Sequence, residues 1–175
     1  MRVLSYCIMP NHWHLVLYPR EDRDLSEFMR WVTTTHVRQR RTQTKTIGHG
    51  HLYQGPFKSF AVQEDKRLVD VIRYVEQNPL RAKLVKKAQD WQWSSLFTRI
   101  HSKKSKLIDA LPTHLPHNYI SSVNDLLTSE KLERIHQSIA KRVPYGSLEW
   151  GYTKVGQDLF QRMLRNPGRQ KKIRI

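Results

Sequence analysis

Val3-Leu4-Ser5-Tyr6-Cys7-Ile8 and His12-Trp13-His14-Leu15-Val16-Leu17-Tyr18, joined by Met9-Pro10-Asn11, decide the fold class. Both runs carry the β-branched and aromatic residues of short strands. Pro10 fixes φ at about −65° and Asn11 tolerates turn geometry, so the join is expected to be a tight β-hairpin. Side chains two apart on a strand share a face. His12 and His14 are therefore expected side by side, with Trp13 pointing the other way.

Working outward, helix periodicity follows. Leu25 to about Arg41 places Leu25, Phe28, Met29, Val32 and His36 on one face, with Asp24 as N-cap and Glu27 completing a capping box. The β-branched Val32-Thr33-Thr34-Thr35 run weakens that helix locally. Gly48-His49-Gly50 interrupts the pattern, and His51 to Val62 reads as strand broken by Gly55-Pro56. A second helix is predicted from Asp65 to Asn78, where Pro79 stops it. Leu80 to Val85 leads into Trp91-Gln92-Trp93-Ser94-Ser95. Ser102 to Lys106 is a basic linker, and loop continues to about Pro116. Helices are expected over Val123–Arg142 and Thr153–Leu164, before a tail, Arg165 to Lys172, without acidic residues. There is no internal repeat. The expected class is α+β, with a β-rich part over residues 1–100 and a helical, basic part over residues 101–175.

Charge narrows the function classes. The 175 residues carry 31 Lys+Arg against 15 Asp+Glu, a net charge of +16. Such a balance points to a polyanion, foremost nucleic acid, with an inert basic surface or a ribosome-like structural role as the plainer readings. The 38% hydrophobic fraction suffices for a core. No run reaches the roughly 18 apolar residues of a membrane span, and no signal peptide opens the chain. The single cysteine, Cys7, excludes a disulfide framework and a multi-thiolate zinc site. A cytoplasmic location and no membrane partner are expected.

Three positions could carry chemistry. Two adjacent imidazoles at His12 and His14 form half of a divalent-metal site and need a further ligand; surface or hydrogen-bonded histidines are the commoner outcome for such a pair. Tyr74 falls roughly 110° from the centre of the Leu68/Val71/Ile72/Val75 stripe, a placement that suits a cleft or solvent better than core. Asn78, four residues on, points the same way, although Asn before Pro is also a common helix end. His49 and His51 form a second spaced pair, better read as loop or phosphate contact. Arg38, Arg40, Arg41, Lys45, Lys58, Arg169, Lys171 and Lys172 are candidate DNA-backbone contacts, the last three in the tail with Gly168.

In order along the chain stand Met9-Pro10-Asn11-His12-Trp13-His14, Leu52-Tyr53-Gln54-Gly55, Phe57-Lys58-Ser59, Tyr74-x-x-x-Asn78-Pro79-Leu80-Arg81-Ala82, Leu84-Val85, Trp91-x-Trp93-Ser94-Ser95, Pro144-Tyr145-Gly146 and Trp150. This ordered set resembles the REP-associated tyrosine transposases, a group of HUH single-strand DNA endonucleases related to single-tyrosine insertion-sequence transposases. The resemblance implies a catalytic domain over residues 1–100 and a helical DNA-binding region over 101–175. It implies Tyr74 as nucleophile, forming a 5′-phosphotyrosine, and Mg²⁺ or Mn²⁺ held by His12, His14 and Asn78. It also implies single-stranded, hairpin-bearing DNA of the REP kind as partner, with monomer and homodimer both open.

The family core resembles a ferredoxin-like antiparallel sheet with helices on one face. Measured against it, the chain is expected to lack a first strand and helix, leaving the His12–Tyr18 strand without one neighbour. A truncated reading frame and a strand edge repaired by another chain are the two accounts of that shortfall. A catalytically inactive remnant, or a non-catalytic DNA-binding protein, is the alternative function.

Overall fold

The computed structural model describes residues 1–46, 50–102 and 105–153. The expected helix over Thr153–Leu164, His49, and the tail residues Arg169, Lys171 and Lys172 lie outside the described residues. The chain divides into two compact units, one of residues 1–57 and 78–111, the other of residues 58–77 and 112–175.

In the first unit, β1 (Arg2–Ile8) and β2 (Trp13–Tyr18) form the expected antiparallel hairpin. Cys7 stands opposite His14 and Ile8 opposite Trp13, and Met9 N–H donates to the His12 carbonyl at 2.8 Å across the Pro10-Asn11 turn. A bulge between Val3 and Ser5 turns Leu4 into the core. Ser5, Cys7, Met9 and Val16 make one face buried, while Ile8 on the other is exposed.

Among the described residues the second edge of β1 meets no strand; side chains and loop backbone serve it instead. Val3 N–H donates to the Asp109 carboxylate at 2.8 Å, and its carbonyl accepts from Asp109 N–H at 2.8 Å. Arg99 donates to the Leu4 carbonyl. Tyr6 N–H donates to Ser95 Oγ at 3.0 Å, Ser95 Oγ donates to the Tyr6 carbonyl at 3.1 Å, and Ser5 and Ser95 hydroxyls meet at 2.8 Å. Ile8 N–H donates to the Trp93 carbonyl, and Trp91 Nε1–H to the Ile8 carbonyl, both at 2.9 Å. The short α4 (Ser95–His101), capped by Ser94, packs on β1.

Between hairpin and α4 run α1 (Asp24–Thr44), α3 (Asn78–Arg81) and a 3-10 turn (Ala88–Asp90). α1 is longer than expected, and Asp24 is its first residue, not its cap. Its carboxylate is committed to the N–H groups of Arg20 and Glu21 and to the N-terminal amine, while Arg23 occupies the cap in a left-handed conformation with no side-chain cap bond. The expected capping box therefore does not form. His36 also leaves the expected apolar face; it is exposed and bonds Tyr53 Oη at 2.6 Å.

In the second unit, α2 (Lys66–Glu76) is capped by Asp65, whose carboxylate accepts from Arg67 N–H at 2.7 Å. Against it pack α5 (Tyr119–Asn124) and α6 (Ser129–Lys141). These replace the single helix expected over Val123–Arg142: Asp125 is extended, and Thr128 starts α6 by capping Lys131 N–H. The expected His51–Val62 strand is also absent, apart from a lone parallel bridge between Val62 and Tyr145. Gly55, at φ +123°, and Pro56 explain the loss, since neither sustains a ladder. After that bridge, α7 (Leu148–Tyr152) folds Trp150 over Gly146, where any Cβ would lie 2.1 Å from the indole ring.

The α+β class holds. Among the described residues the sheet is two-stranded, so a ferredoxin-like sheet is not seen. Ser95 carries the most replaceable of the edge bonds. Ser95→Ala should lower stability by about 1–3 kcal/mol by removing the hydroxyl that Tyr6 N–H and Ser5 Oγ bond. A thermal melt indistinguishable from wild type would contradict that role.

Candidate functional site

The hairpin brings His12 and His14 together, with ring centroids 4.9 Å apart and planes at 87°. His12 is exposed at the turn end, and Asn11 Oδ1 lies 2.7 Å from its Nδ1. An amide oxygen only accepts, so in this contact Nδ1 is the donor. His14 lies on the buried face opposite Cys7. Burial, then the neighbouring His12 and Arg81, push its pKa down to about 4. It is thus a neutral imidazole at physiological pH, the form that can ligate a cation.

α3 belongs to this same unit and carries Asn78 and Arg81. Arg81 is close enough to bear on His14 electrostatically. Pro79 opens this helical turn and does not merely end the previous helix, since the first turn tolerates its missing N–H. Among the described residues no three His, Cys, Asp or Glu side chains cluster as a metal site. A cation held by this imidazole pair would need further donors of another kind.

Tyr74 belongs to the second unit, and its placement corrects the expectation of a cleft-facing ring: it is only 7% exposed. His136 of α6 stands edge-on to it, with centroids 5.7 Å apart. The angular offset from the α2 stripe is real, but α6 covers that flank as well. Polar contacts around Tyr74 fix α2. Tyr119 Oη donates to the buried Glu76 carboxylate at 2.7 Å, and Lys131 pairs with Asp70 at 2.9 Å. Arg73 donates to the carbonyls of Ser122 and Asp125, and Leu127 N–H donates to Gln77 Oε1. His136 and Tyr119 had no motif to mark them; only their helical partners do.

Of the proposed backbone contacts, Arg38, Arg40 and Lys45 are exposed along the end of α1, and Lys58 is exposed at the start of the second unit. Arg41 is half-buried and donates to the Gly50 carbonyl, so part of its donor capacity is structural. Among the described residues no helix is long and apolar enough to cross a membrane.

Residues 1–78 match the family model described as "Transposase IS200 like". Over that span the chain is similar to the IS200-like transposases. The matched span contains His12, His14 and Tyr74 and ends on Asn78. A Haemophilus influenzae protein named "Putative REP-associated tyrosine transposase" is 24% identical over 100 residues, covering 53% of this chain. The alignment spans 57% of that relative's length. No solved structure matches.

The depressed His14 pKa has a measurable consequence. Between pH 6.5 and about 4 the unfolded chain binds a proton that folded His14 refuses. Stability from this group is complete above the unfolded value and falls as pH drops through that window, by ~3 kcal/mol at most. In NMR titration the His14 ring should stay neutral until about pH 4, and His14→Gln should remove this part of the pH dependence. A His14 midpoint near its ordinary value would contradict the burial argument.

Proposed function

We propose that this chain is a transposase-type nuclease that cleaves and rejoins single-stranded, hairpin-bearing DNA through a 5′-phosphotyrosine on Tyr74, with Mg²⁺ or Mn²⁺ held by His12, His14 and Asn78. The observation that carries the reading is the imidazole pair on the anchored hairpin, one ring kept neutral by burial, inside the span that matches the IS200-like family.

When bound, the cation would polarise and align the scissile phosphate. The protein's own groups do the rest. Tyr74 Oη attacks phosphorus, the bond from phosphorus to the 3′ oxygen breaks, and the electron pair leaves on that oxygen, which takes up a proton to become a free 3′-OH. A phenol is a weak nucleophile until deprotonated, so it must surrender its proton as it attacks. The phosphodiester survives as the tyrosine ester, so a second 3′-OH can reverse the step without a nucleotide cofactor. Arg38, Arg40, Arg41, Lys45 and Lys58, with Arg169, Lys171 and Lys172 of the tail, would supply sequence-independent contacts to the DNA backbone.

Incubated with Mg²⁺ or Mn²⁺ and an end-labelled hairpin oligonucleotide, the full chain should give a denaturation-resistant protein–DNA adduct. Tyr74→Phe should abolish it, and His12→Ala or His14→Ala should lower it by about 100-fold or more, the scale of losing a catalytic ligand. Folded wild-type protein that gives no adduct with either metal would overturn the proposal.

A further inference from the structure

Beside the histidine turn, Ile8, Met9, Pro10, Trp91 and Trp93 line a cleft of about 300 Å³, at the small end of ligand-site volumes. All of it belongs to the first unit. Singly exposed apolar residues need no explanation, but here Trp93 is 55% and Ile8 48% exposed around one concavity.

The walls are stiff. Trp93 is held by its carbonyl on Ile8 N–H, and the next residue, Ser94, bridges to Cys7. Trp91 spends its indole N–H on the Ile8 carbonyl. What remains in the cleft is π-face and hydrocarbon, presented by side chains whose backbone is already fixed, so little ordering is required of the protein on binding.

We propose that this cleft seats one unpaired base of single-stranded DNA, stacked on Trp93, next to the turn that leads into His12. The choice of DNA and the link to the histidine pair rest on the nuclease reading above; the stacking site itself rests on the cleft. Charge selects the occupant. The chain is +16, and exposed Lys86 and Lys87 precede the tryptophan segment against a single Asp90. Phosphates are drawn to such a surface, and the base is the part of a nucleotide that an apolar, donor-poor cleft accommodates. A second copy of this chain would bring +16 against +16. Because every base has a π-face, the contact tolerates sequence and would fix the strand's register beside the histidines.

The test measures binding of the full chain to a fluorescein-labelled oligothymidylate, intact or carrying one abasic residue scanned along it. At one position the abasic residue should weaken wild-type binding by roughly tenfold, the loss expected of one base–aromatic stack. Trp93→Ala should weaken the intact strand equally and no longer respond to that abasic residue. Trp93→Phe, which keeps a ring, should recover most of the affinity and serves as the folding control. Unchanged affinity of Trp93→Ala overturns the proposal, as does retained sensitivity to the abasic residue. So does a sedimentation shift showing that Trp93 holds two chains together. The Tyr74 adduct assay is scored separately. A missing adduct with Trp93–base coupling intact rejects the nuclease reading alone; an adduct without that coupling rejects the cleft alone.

Discussion

β1 has two edges and, among the described residues, one strand neighbour. Its N–H and C=O groups on the side away from β2 would cost about 1–3 kcal/mol each if buried without partners. The chain meets that demand with unlike groups: the Asp109 carboxylate and backbone at Val3, Arg99 at Leu4, the Ser95 hydroxyl at Tyr6, and the Trp91–Trp93 segment at Ile8. Residues 83 to 106 positions apart are thereby tied into one layer, from Ile8 with Trp91 to Val3 with Asp109.

From that tie the rest of the first unit follows. An anchored β1 fixes β2 through the hairpin ladder, β2 sets His14 half-buried opposite Cys7, and that desolvation keeps His14 neutral. The same segment that serves the Ile8 edge raises Trp93 beside the turn. In the second unit the constraint has another form. α2 is held by Asp70, Arg73, Glu76 and Gln77, each bonded to residues between Tyr119 and Lys131, so the position of Tyr74 is set by helices that come much later in sequence.

The hairpin was legible because alternation and the Pro10-Asn11 turn are local signals. The side-by-side histidines followed from strand period alone. α2 was legible from Leu68, Val71, Ile72 and Val75. The burial of Tyr74 was not, because periodicity locates one apolar stripe and is silent on a second helix packing over its flank. Ser94 and Ser95 look like loop residues; their role as an edge partner to β1 depends on a long-range approach that no local pattern encodes. Asp24 misled for a related reason. A carboxylate before a helix reads as a cap, but here nearby N–H groups and the terminal amine compete for it successfully.

The residue that becomes covalently joined to DNA decides the proposed chemistry. After reaction with a hairpin oligonucleotide and Mn²⁺, nuclease trimming and proteolysis, tandem mass spectrometry should find the nucleotide remnant on Tyr74, attached through phosphate to its phenolic oxygen. A remnant on any other tyrosine, such as Tyr53 or Tyr145, would contradict the central claim.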